Sequence, residues 1–135
     1  MKNTSGITLG ATILIAFIIL LSAKPAGADD LVAARYLTVE PKRIELELDL
    51  RPPTPASIIV IQKLPSGTEI ESSTPQVSKY DKKKGLAKFL LRQIDPGQTV
   101  ITLQLKENVT KSDIHATIKY MDPASGKTTE IRIEP

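Results

Sequence analysis

The 135-residue chain contains no cysteine and no tryptophan, one histidine, and only five aromatic residues. The absence of cysteine excludes a disulfide framework, a thiolate zinc site, covalent haem attachment and a lipid-modified N-terminal cysteine. A single histidine, His115, leaves hydrolases that need a base beside a serine or cysteine nucleophile with one candidate. No internal repeat is visible, and no amphipathic helix follows residue 28. What is present suffices for a folded domain: 41% hydrophobic and 24% charged residues can bury a core, which excludes wholesale disorder.

Residues 1–28 read as a secretory leader. After Lys2, an uncharged stretch of 17 residues covers 7–23, and Lys24 and Pro25 end it. Ala26, Gly27 and Ala28 form a small-x-small triplet suited to signal-peptidase cleavage before Asp29. The stretch is shorter than the roughly 20 apolar residues that cross a bilayer. A cleaved signal peptide is therefore expected, the alternative being a single N-terminal membrane anchor, and the protein is expected in the periplasm, at the cell surface or in the medium. Removing 1–28 leaves 107 residues, the size of one small domain, and lowers the net charge from +3 to +1 as Lys2 and Lys24 depart. Total charge thus gives no general polyanion-binding surface. The remaining aromatics, Tyr36, Tyr80, Phe89 and Tyr120, are too few to supply both a core and stacking platforms for sugars or bases. Nucleic acid is not an expected partner, and a membrane is expected only through an uncleaved leader.

After the leader the hydrophobic period is two almost throughout, the signature of half-buried strands. Ile44, Leu46, Leu48 and Leu50 alternate with Glu45, Glu47, Asp49 and Arg51. Pro52, Pro53 and Pro55 make a stiff connector to a largely buried strand over 56–63. A shorter β-like stretch covers 68–72, and a polar excursion runs from Thr74 to Gly85. Leu86–Arg92 turns Phe89 and Leu91 to one face, and Asp95, Pro96 and Gly97 form a turn. Segment 98–106 aligns Ile101, Leu103 and Leu105; segment 113–121 aligns Ile114, Ala116, Ile118 and Tyr120; segment 128–134 aligns Ile131 and Ile133. About seven closely spaced strands predict an all-β chain, an immunoglobulin-like Greek-key sandwich over 43–135, with 29–42 an N-terminal extension or first strand.

Leu64, Pro65, Ser66 and Gly67, the Glu69-to-Pro75 step, Gly85 to Leu91, and Asp95 to Val100 together resemble the conserved repeat of bacterial secreted and cell-surface proteins with an immunoglobulin-like sandwich fold. The resemblance covers about half of the chain beyond the leader. It implies that fold and says little of chemistry. Where that family commonly carries a tryptophan this chain has Phe89, expected to be the largest side chain of the core, and one copy stands where the family usually has arrays.

No catalytic, cofactor or metal constellation emerges. His115 alternates to an outer sheet face with Thr117 and Lys119. Glu45 and Glu47, two apart on a strand, lie about 7 Å from each other on one face, but a solvated face accounts for them. Asp81, Asp95 and Asp122 sit in separate loops rather than in one oxygen-rich calcium loop, and the Asn108 sequon matters only in a glycosylating pathway. The densest charge is Lys79, Lys82, Lys83, Lys84 and Lys88, which contains no arginine, the bidentate phosphate ligand.

The expected function is that of an exported, non-enzymatic structural or assembly protein of the bacterial envelope or exterior, acting by contact with another protein or with itself. The contact is expected at an edge strand, either Thr129, Ile131, Arg132 and Ile133 or the stretch Tyr36 to Glu40. The alternative is a binding module that takes an acidic ligand on Lys79, Lys82, Lys83, Lys84 and Lys88.

Overall fold

The computed structural model describes residues 31–135. The leader and its cleavage site lie outside the described residues. The described residues hold nine strands: β1 (Val32–Glu40), β2 (Arg43–Leu50), β3 (Ser57–Lys63), β4 (Ile70–Thr74), β5 (Lys79–Asp81), β6 (Leu86–Arg92), β7 (Gly97–Leu105), β8 (His115–Met121) and β9 (Thr128–Ile133). They form two antiparallel sheets, one in the order β1-β2-β7-β4 and one in the order β5-β6-β3-β8-β9. The inward residues of both sheets make one hydrophobic core, the arrangement of a β-sandwich.

Alternation in the sequence becomes alternation in burial. Ile44, Leu46, Leu48 and Leu50 on β2 are buried, while Glu45, Glu47 and Asp49 face outward. Ile101, Leu103 and Leu105 on β7 close the same layer; Ile58 and Val60 on β3 and Ala116 and Ile118 on β8 face them from the other sheet. Each large aliphatic side chain so buried contributes about 1.5–3 kcal/mol. Phe89 is fully buried opposite Val60 and is the largest of the wholly buried side chains, as expected.

Several boundaries differ from the sequence reading. The described residues hold nine strands rather than about seven, because the polar excursion contains β5 and, of the two alternatives for 29–42, the stretch before Pro41 is the first strand. Tyr36 to Glu40 is the end of β1, which folds back on β2 through Pro41 and Lys42. The stretch placed at 68–72 lies at Ile70–Thr74, since Thr68 is drawn into the preceding turn by a 2.7 Å bond from its Oγ1 to the Pro65 carbonyl. Residues Lys111–Asp113 form a 3-10 turn, so β8 begins at His115 rather than at 113.

The turn at Leu64 to Gly67 packs against the end of the β5-β6 hairpin. Leu64 N donates to the Gly85 carbonyl at 2.7 Å, and Gly67 N to the Lys82 carbonyl at 2.8 Å. Gly85 has φ of +66°, and a Cβ there would lie 2.0 Å from the Leu64 carbonyl oxygen. Only glycine fits this close approach.

Candidate functional site

A sandwich that is not closed has edges, and here they are β1 and β4 in one sheet and β5 and β9 in the other. Three of the four are blunted. A register shift between Tyr36 and Thr38 kinks β1, another between Ile70 and Ser72 kinks β4, and β5 has only three residues and begins with Lys79. Bulges, shortness and lysine are the usual devices against pairing with another chain. Strand β9 has none of them: six residues pair with β8 without a register shift, and neither proline nor lysine interrupts them.

The hairpin loop fixes which backbone groups of β9 are free. Asp122 N donates to the Lys127 carbonyl at 2.9 Å, and Asp122 Oδ1 accepts from Ala124 N at 2.8 Å and Ser125 N at 3.3 Å, which holds the loop. Hydrogen-bonded pairs alternate along an antiparallel ladder, so Thr129, Ile131 and Ile133 bond to β8, and the amides of Glu130 and Arg132 point away from the sheet. The Leu64-to-Gly85 bond at the far side of β3 gives the same phase when carried across β3 and β8. The side chains of Ile131 and Ile133 are half-buried against the core, whereas Glu130 and Arg132 lie on the outer face beside Lys119 and Thr117. Arg132 pairs with Glu134 at 3.0 Å, and Lys119 with Glu130 at 3.7 Å.

The other edge candidate, Tyr36 to Glu40, is committed inward. Tyr36 crosses from β1 to the opposite sheet, where its hydroxyl donates to Gln62 Oε1 at 2.9 Å. Gln62 is 2% exposed, and its amide donates to the Lys63 carbonyl at 2.9 Å and the His115 carbonyl at 3.0 Å. Burial pushes the Tyr36 phenol up to about 12. Period-two phasing from Ile58 and Val60 places Gln62 inward, but nothing in the sequence signals its partners, which come from β1 and β8.

The lysines do not act as one cluster. Lys82 turns to Glu69 at 2.7 Å, and Lys106 approaches the same carboxylate at 3.6 Å; Lys82 and then Lys106 hold the Glu69 carboxyl below the usual range. Lys83 and Lys84 occupy the hairpin turn, whose carbonyls accept from Ser66 and from Lys63. Lys79 and Lys88 stand directly opposite each other on β5 and β6. Among the described residues no ion pair engages Lys79, Lys83, Lys84 or Lys88. In register with Lys88 lies Ile61, and Leu90 next along β6 is 37% exposed.

Glu45 accepts from Arg43 and Thr38, and Glu47 from Arg35; the Arg43 bond, then that of Thr38, lowers the Glu45 carboxyl. Each carboxylate thus has its own ion-pair partner on the outer face of the four-stranded sheet. His115 is half-buried on the outer face of the other sheet, opposite Lys63, and burial, then the Arg132 and Lys63 cations, lowers its imidazole below the usual range. Asp81 and Asp122 bond to amides of their own turns, Lys84 N and Ala124 N. Among the described residues no group of three or more His, Cys, Asp or Glu side chains is placed to hold a metal ion. No protein-family model, curated protein or solved structure matches the chain.

Proposed function

We propose that this chain is an exported, non-enzymatic structural or assembly component of a bacterial envelope or exterior, an immunoglobulin-like Greek-key sandwich that works by protein contact along β9. The observation that carries the reading is the unblunted edge, with the amides of Glu130 and Arg132 directed outward. Free ladder groups on a regular edge are the template for strand addition. The immunoglobulin-like part is supported by non-consecutive neighbours in both sheets, β2 beside β7 and β3 between β6 and β8, together with the resemblance carried by residues 64–100. Export is supported by the leader pattern of residues 1–28.

Photocrosslinking in the producing cell tests this reading. A photoreactive residue at Arg132 should give discrete protein adducts, and one at Lys88, on the sheet face, should give none. Adducts at Lys88 with none at Arg132 would overturn the edge reading. They would favour a second one, binding of an acidic ligand, for which one observation speaks: like charges directly opposite across strands are destabilising, and Lys79 and Lys88 are so placed with no carboxylate among the described residues paired to either. That binding should fall steeply as salt rises.

A further inference from the structure

A strand edge that adds a strand needs an occupant whose own edge is free and whose side chains match. The β9 edge meets both conditions with itself. Its sequence Glu130, Ile131, Arg132 is self-complementary in the antiparallel sense, because inversion about Ile131 exchanges the acid and the base. We infer that β9 pairs with β9 of a second copy of this chain about a two-fold axis through Ile131, so that the two five-stranded sheets run on as one. This rests on the edge-contact reading above and names its partner.

The geometry selects one full-length register. The outward amides belong to even-numbered residues, so a shift of one residue would oppose free groups to groups already bonded to β8. In the symmetric register Glu130 lies opposite the partner's Arg132 and Arg132 opposite the partner's Glu130, both as hydrogen-bonded pairs. Sliding the strands by two brings Glu130 over the partner's Glu130, or Arg132 over the partner's Arg132, and like charges opposite each other are destabilising. On the inner side Ile131 meets the partner's Ile131 in a non-hydrogen-bonded pair, the kind in which side chains approach most closely. Both isoleucines are half-buried against their own cores, so pairing covers the apolar surface that the edge leaves open. An isologous two-fold contact requires this reciprocity, in which one residue meets a second and the second meets the first.

Sedimentation of the protein recovered from producing cells tests the inference. At about 1 mM, a concentration chosen because a single strand pairing is smaller than standard interfaces, the wild type should sediment as a dimer and dissociate on dilution. Arg132→Pro should be monomeric at every concentration and retain its circular dichroism, because that amide makes no bond within the sheet. Glu130→Arg and Arg132→Glu should each be monomeric alone, and an equimolar mixture should dimerise, since every cross-strand charge pair in the mixture is again opposite. A monomeric wild type, or single variants that dimerise as well as it does, would overturn self-pairing. If the wild type is monomeric yet crosslinks at Arg132 to a different protein in the cell, self-pairing falls and the edge reading stands; without that crosslink both fall.

Discussion

Removing the Tyr36 hydroxyl tests whether the polar bond between the sheets holds β1 in place. In Tyr36→Phe the ring remains, but the Oε1 of Gln62, in a residue only 2% exposed, loses its 2.9 Å donor. Leaving a buried acceptor without a partner costs about 1–3 kcal/mol. At roughly 4–8 °C per kcal/mol for a domain of this size, the loss is easily measured by thermal or urea denaturation. The companion Gln62→Leu keeps the side-chain volume but strips the His115 and Lys63 carbonyls of the amide bonds at 3.0 and 2.9 Å. Its cost should be similar. The double variant replaces both partners by apolar groups, which is far less costly than orphaning one of them. Its destabilisation should therefore be smaller than the sum of the single variants by about 1 kcal/mol or more. Strict additivity, or a Tyr36→Phe protein as stable as the parent, would refute the claim that this bond ties β1 across the core.

Phe89→Ala should destabilise by about 3–5 kcal/mol, a large share of the roughly 5–15 kcal/mol of a typical domain, and urea denaturation would expose an unperturbed variant. Gly85→Ala should prevent folding or shift the hairpin turn, because its Cβ would lie 2.0 Å from the Leu64 carbonyl oxygen where φ is already +66°; normal amide dispersion and melting in that variant would contradict the described approach. Alkali should destabilise the protein. The Tyr36 phenol is raised from an ordinary 10 to about 12, so its contribution is complete below pH 10 and is lost as pH rises from 10 towards 12. In Tyr36→Phe this component of the pH profile should disappear, leaving the smaller one from Tyr80, whose phenol burial also raises.

The long strands were legible because each presents one face to the core and one to water. Alternation over Ile44 to Leu50 and over Ile114 to Tyr120 is the direct imprint of that geometry, and Phe89 as the core's largest side chain follows from it. Strand β5 was not legible, since Lys79, Tyr80 and Asp81 are too few to show a period and owe their strand form to pairing with β6. The same pairing explains why five lysines that look like one cluster are dispersed. Register sets Lys79 against Lys88, the turn takes Lys83 and Lys84, and Glu69, thirteen residues before Lys82, draws that side chain away. The β9 edge was legible as a candidate from its lack of proline and from the alternation of Ile131 and Ile133. Its advantage over β1 was not, because the bulge at Leu37 and the Tyr36-to-Gln62 bond depend on which strands the fold brings together.

Residue-resolved amide exchange along β9 tests the central claim most directly. In dilute protein the amides of Thr129, Ile131 and Ile133 should be protected by β8, and those of Glu130 and Arg132 should exchange freely. On association, whether with a second copy or with another protein, Glu130 and Arg132 should become protected while Lys79 and Lys88, on the strands at the opposite side of the same sheet, keep their dilute exchange rates. Association that leaves the Glu130 and Arg132 amides exchanging as in dilute protein would contradict a contact made through this edge.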